Sequence, residues 1–437
     1  MRTSAGRSRL AHQQPMPQVS EENSDRQPRA IFSRLVKGCS ALRHRDFRLL
    51  WIGTLVSNIG SWAQKVATAW LIYHLTNSAA WLGIDAFASG LPAVLLLPWG
   101  GALADRVNRR TLLIWTNAMS ALLAFVLAAL VASDLLRVWH IVVISALSGV
   151  VQALIIPASS SLLPTLVGEK DTANAIALNS LQFNLSRVIG PAIGGVTLFH
   201  LGAAWSFALN GLSFLALVFA IALIATLPAV IPTTVSIGAN LRDGLRFVRQ
   251  RSEILTSLIL VMLAAFCSSP MISMMPALTK SVLHRDAKTY SFLLSTFGAG
   301  AVAAAAVVAL SNSKGAQPRR ALASLLLFGA CQIAVGFQLP LAVTVALVAV
   351  AGLTFISAMI RLGTAIIQSS PDEYRGRTTS LQSLGFRAAQ PLGSLIAGFI
   401  AHQMGVQIAF WAYGGLLIVA IALVQRFGTL RTTAVNA

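Results

Sequence analysis

The chain is a succession of apolar runs of about eighteen residues or more, separated by short polar stretches that hold most of its charge. A backbone in hydrocarbon finds no water, so each run must satisfy its own N–H and C=O groups, and a helix does this within one segment. At about 1.5 Å per residue, each run is long enough to cross a ~30 Å core. With 56% of 437 residues hydrophobic and 11% charged, the chain cannot cover itself with polar surface, which excludes a soluble enzyme.

The expected fold class is all-α integral membrane. Hydropathy places helices near 47–73, 81–104, 111–132, 139–162, 173–200 and 205–226, then near 254–279, 290–311, 321–338, 341–366, 377–402 and 406–426. This gives about twelve transmembrane helices in two six-helix halves, an N-terminal one at 47–226 and a C-terminal one at 254–426. Residues 1–46 form a basic tail and 427–437 a second tail. Ile31, Leu35, Cys39 and Leu42 recur at helical spacing, as in an interfacial helix, and a disordered basic lead-in fits the same residues equally. Residues 227–253 carry Pro228, Pro232 and Gly238 and then a basic amphipathic segment, with Ile237, Leu241, Leu245 and Val248 on one face and Arg242, Arg246 and Arg249 on another. They read as a linker between the halves.

A net charge of +19 would suggest nucleic acid in a soluble protein, but Lys and Arg gather in the tail and in alternate loops. That pattern sets orientation and calls for no nucleic-acid partner. The tail, the loop after residue 104, the linker, Lys314–Arg320 and Arg375–Arg377 fall on one side, which makes both termini cytoplasmic. The loops of the other side also hold Arg137, Lys280, Arg285 and Lys288, which weakens the bias there. The tail has no apolar segment with a cleavage site, so no signal peptide is expected. Cys39, Cys267 and Cys331 lie in separate segments without metal-ligand spacing.

An internal repeat supports the division into halves. SLQFNLSRVIGP at 180–191 aligns without a gap to SLQSLGFRAAQP at 380–391, so the fifth and eleventh helices are equivalents. Two such equivalent halves would be related by an axis along the membrane normal.

The stretch GALADRVNRR at 101–110, between the second and third helices, has the pattern G-x-x-x-D-R-x-x-R-R. It resembles the signature loop of the major facilitator superfamily of secondary transporters. DFRLLWIG at 46–53, NIGSW at 58–62, WLIYHLTNSAAWLG at 70–83, SRVIGPAIGG at 186–195 and PDEYRGR at 371–377 are similar to the bacterial exporters that include the enterobactin exporter. The resemblance implies a major facilitator fold in the bacterial inner membrane, export coupled to protons, and gating by Gly101, Asp105, Arg106, Arg109 and Arg110. SRVIGPAIGG resembles an antiporter motif in which Gly190, Pro191 and Gly194 let helices approach and bend; Gly190 and Gly194 are also spaced as an ordinary small-residue helix contact. The chain departs from the pattern twice. The second-half loop at 311–320 has no acid, and Gly60 is followed by Ser61 where relatives often carry one.

Ionisable groups inside membrane helices are costly and point to function until they are paired. Thr54, Asn58, Ser61, Lys65 and Thr68 make one polar stripe on the first helix, able to line a cavity. Asp85 lies at a depth similar to Lys65, either as its ion-pair partner or as a proton carrier. Arg187 and Arg387 lie too deep to snorkel, whereas Arg361 lies nearer its helix end. Ser145, Ser148 and Gln152 form a stripe on the fourth helix, and Met271, Met274 and Met275 offer adaptable surface or packing on the seventh. There is no GxxxxGK[ST], HExxH or GxSxG sequence, so no enzyme chemistry and no cofactor are expected. The expected activity is alternating-access export of a small molecule by a monomer driven by protons, the cargo being a siderophore or another organic anion. Broad drug efflux and a non-transporting membrane sensor or assembly protein are the alternatives.

Overall fold

The computed structural model describes residues 40–104, 106–224, 237–311 and 317–427. Asp105, Ile31, Leu35, Cys39, Pro228, Pro232 and the tail from 428 lie outside the described residues, as do the side chains of Ile237 and Leu241. Every regular element among the described residues is helical. The spans in order are Arg45–Thr76, the pair Ala79–Leu95 and Leu97–Ala104, Arg109–Ala132, Val138–His200, Ala203–Ala222, Ser252–Val282, Ala287–Leu310, Pro318–Val335, Leu341–Gln368, Asp372–Met404 and Val406–Phe427. Eight helices are long and apolar enough to cross a membrane, and the bent pair makes a ninth.

Val138–His200 is two spans. Its 63 residues would extend about 95 Å, some three times a bilayer core, and Gly168 at φ 72° interrupts it. The arm 138–167 runs parallel to the second span, because Gly149 meets Ser89 and Gly100 meets Ala153. The arm 169–200 runs parallel to the first, because Trp51 bonds Leu178 and Gly194 meets Ala63. The chain therefore reverses at Gly168, where a positive φ suits glycine. The loop expected over 163–172 is helical except at this residue. Adding the more polar Arg45–Thr76 and the Arg-rich start of Pro318–Val335 brings the total to twelve spans.

Proline accounts for the other departures. The second span, expected to be continuous, bends by 46° between Leu95 and Leu97, where Pro98 lacks the N–H that would continue the ladder. The seventh breaks into Ser252–Cys267, Ser269–Ser273 and Met275–Ala277 before a π-turn at Leu278–Val282, with Pro270 and Pro276 at the breaks. Pro191, expected to bend the fifth span, lies within helix whose φ/ψ stay regular.

The repeat reappears as packing. The fifth span lies on the first through Gly190 and Gly194 and on the eighth through Gly195 against Ser291. The eleventh lies on the seventh through Gly393 against Phe266, and on the second through Pro391 against Gly90. Exchange of the halves maps one set of contacts onto the other.

The ends of the spans define a basic face, with Arg43, Arg106, Arg110, Arg320 and Arg375, and an opposite face. At the opposite face the halves meet closely. Lys280 Nζ donates to Asn77 Oδ1 at 3.0 Å and lies 5.7 Å from the Tyr73 ring; Lys288 Nζ stands 3.3 Å over the Phe199 ring; Ser78 Oγ and His402 Nδ1 are 3.2 Å apart. Each lysine belongs to one half and its partner to the other. Lys280 and Lys288, two of the four positive residues that disturb the charge bias, thus form a clasp, held by cation–π contacts of about 0.5–1 kcal/mol each at exposed sites.

At the basic face the 3-10 turn Ser40–Arg43 ties the start of the first span to the fifth. Ser40 Oγ donates to Asp171 Oδ1 at 2.6 Å, His44 Nε2 lies 2.9 Å from Asp171 Oδ2, and the Ala41 N–H donates to Asn174. The Ser40 hydroxyl first, and His44 second, hold the Asp171 carboxyl below the usual aspartate range. A depressed carboxylate stabilises the fold above its unfolded pKa, about 3.9, and loses that contribution as pH falls through the lower folded value. A nitroxide at Arg43 should therefore stay immobile at neutral pH and loosen only below about pH 3.9, while Asp171→Asn should be loose at pH 7. Equal mobility of the two proteins at pH 7 would refute the tie.

Candidate functional site

Three cations from three helices converge near the middle of the bundle. Lys65 Nζ stands 4.5 Å from the centroid of the Trp62 ring, and the Arg187 guanidinium carbon lies 5.8 Å from the same ring. Trp62 and Lys65 are three residues apart and share a face of the first span. Gly190 packs on Trp62, so a Cβ there would come within 2.4 Å of the Trp62 Cβ, and glycine lets the fifth span bring Arg187 to the ring. Lys65 lies within electrostatic reach of both Arg187 and Arg387, the latter from the other half. Lys65 and Arg387 are solvent-exposed, although each sits mid-span among other helices.

No Asp or Glu pairs with any of these three cations among the described residues. The expected alternative of a Lys65–Asp85 pair is not realised. The Asp85 carboxylate lies against the Ser145 side chain, and its buried Oδ1 has no hydrogen-bond partner. Nor does Gln182 satisfy Arg187, since both amide atoms of Gln182 are buried and unpartnered. Asn58 lies one turn from Trp62 on the first span, half-buried, and Gln152 is exposed on the fourth.

Arg361 lies apart from this cluster. It is 9% exposed and donates to Gln317 Oε1, with Arg320 close by, near the basic end of the ninth span. Met271, Met274 and Met275 are fully buried and serve packing, not a cargo surface. In the loop after the second span, Arg110 donates to the Ala222 carbonyl at the end of the sixth span, a favourable place for a cation. Asn108, to which no role was assigned, caps the third span by accepting from the Arg110 and Thr111 N–H groups. An Asn immediately before a helix is a signal that could have found it.

The family described as transmembrane secretion effector matches residues 36–437. The chain belongs to this family of the major facilitator superfamily. It is 25% identical to the staphyloferrin A transporter of Staphylococcus aureus over 380 residues, covering 84% of this chain and 92% of that one. It is also 25% identical to the multidrug efflux pump Tap of Mycolicibacterium fortuitum over 376 residues, covering 83% and 91%. Among solved structures the nucleoside transporter NupG superposes with a TM-score of 0.73 over 87% of this chain and 98% of that one, at 12% identity, a likeness of fold. This member of the family is a multi-pass bacterial membrane protein and a secondary transporter of a small molecule, not an enzyme.

Proposed function

We propose that the protein exports an organic anion from the cytoplasm by alternating access. The observation that carries this reading is the cluster of Lys65, Arg187 and Arg387, drawn from both halves and without an acidic partner among the described residues. Three uncompensated positive charges at the midplane favour an anion over a neutral or cationic cargo. One chain supplies the cations from both halves, so the working unit is a monomer. The dense lysine and arginine of the basic face support a cytoplasmic position for that face, with both termini, in the inner membrane. The clasp then closes the outer face, and the cavity loads from within.

Protons entering in exchange would supply the energy, with Asp85, an acid within the second span whose buried Oδ1 has no hydrogen-bond partner, as the carrier. Gly101, Asp105, Arg106, Arg109 and Arg110 act as the gate, with Arg110 linking the loop to the sixth span. The Tap efflux pump as a relative supports export, and the staphyloferrin A transporter as a relative supports a siderophore among the candidate anions.

A deletion strain grown with and without iron should accumulate acidic metabolites inside the cell, and the intact gene should clear them. Accumulation of neutral or cationic compounds alone would sink the anion reading and favour broad drug efflux.

A further inference from the structure

We infer that the arginine face of the linker helix Ile237–Arg249 is a binding site for the phosphate headgroup of an anionic membrane lipid. Arg242, Leu245, Arg246 and Arg249 follow the spacing i, i+3, i+4, i+7 and therefore share one face. With Gln250 they line a groove of about 370 Å³. The other side of the helix is used for docking. Gly244 packs on Arg377 and Leu381 of the eleventh span, Val248 is fully buried, and Phe247 stacks on Tyr374 at 4.1 Å with planes 9° apart. Sequence spacing had grouped Leu245 with Val248. The structure instead leaves Leu245 38% exposed among the arginines.

Position and chemistry together point to a lipid. The helix ends where the seventh span begins at Ser252, and it packs beside the start of the eleventh at Asp372, so the groove lies at the level where spans enter the bilayer. Its lining holds three guanidinium groups and no carboxylate; Asp243 is exposed but does not line it. Guanidinium forks match phosphate oxygens two at a time. The exposed Leu245 adds an apolar edge that a glycerol backbone or acyl chain can cover and that a soluble phosphate cannot use. Each arginine near an anionic surface contributes about a fivefold preference, and three together roughly a hundredfold. The site does not depend on which cargo the transporter carries.

The test is retention of phosphatidylglycerol against phosphatidylcholine by the full-length protein in detergent, read by native mass spectrometry. The parent should retain phosphatidylglycerol preferentially, and Arg242→Gln/Arg246→Gln/Arg249→Gln should lose that preference by at least about tenfold. Should the triple variant not accumulate, Arg246→Gln alone should lose about fivefold. Leu245→Gln should weaken lipid retention while all three arginines remain. Equal retention by parent and variants, or no preference in the parent, would overturn the inference. So would displacement of the lipid by millimolar inorganic phosphate or glycerol phosphate, which would make the groove a site for a soluble phosphate.

Discussion

Arg187→Gln is expected to lower transport of an acidic cargo about ten- to a hundredfold at equal membrane abundance, while leaving a neutral cargo of similar size nearly unaffected. The magnitude follows from the charge-assisted hydrogen bond that glutamine cannot replace, worth about 1.5–3 kcal/mol in a partly desolvated cavity. Arg387→Gln should behave alike, because the repeat places it in the other half at the equivalent position and its charge reaches Lys65 as that of Arg187 does. Lys65→Gln should have the smaller effect, since Lys65 stands over the Trp62 ring and a point charge lacks the guanidinium fork. The measurement is efflux of paired acidic and neutral substrates from loaded vesicles. Equal loss of both substrates, or reduced abundance, would make the arginines structural.

The same residues show what a sequence can and cannot disclose. Apolar runs, the positive loops and the repeat follow from local composition, so the spans and the two halves were legible. Gly168 was not, because a single glycine inside a polar stretch reads as any loop, whereas here it alone separates two arms of continuous helix. Depth along a helix is read from position in the sequence, and that reading sets Lys65 and Asp85 at similar expected levels. Which way each side chain turns depends on how the helices are rotated against their neighbours, and that is a property of packing. Trp62 captured Lys65, and Ser145 took the side chain of Asp85. Arg361 likewise fell to Gln317, a residue far off in sequence. The lysines of the opposite face looked like noise in the charge pattern because their aromatic partners, Tyr73 and Phe199, lie in the other half.

That clasp sets the largest conformational effect expected. If the halves must part at the opposite face to release cargo, a covalent tie across it should stop transport roughly tenfold or more, since the alternate state is then removed altogether. Ser78 and His402 meet there at 3.2 Å, both on short side chains. With Cys39, Cys267 and Cys331 replaced, Ser78→Cys/His402→Cys joined by a short, membrane-impermeant bis-thiosulfonate added outside intact cells should block efflux, and a reductant should restore it. Reaction from the outside also checks the orientation. The complementary change is Gly83→Val. A Cβ at Gly83 would lie 2.5 Å from the Ser394 carbonyl oxygen across the same interface, so a branched side chain must push the halves apart. Overpacking of this kind costs about 1–3 kcal/mol, enough to shift the balance of states about five- to a hundredfold toward opening at that face. The valine variant should therefore label more readily at Ser78→Cys from outside and transport poorly. Full cross-linking with unchanged efflux would show that the opposite face does not open during transport, and alternating access about this axis would have to be abandoned.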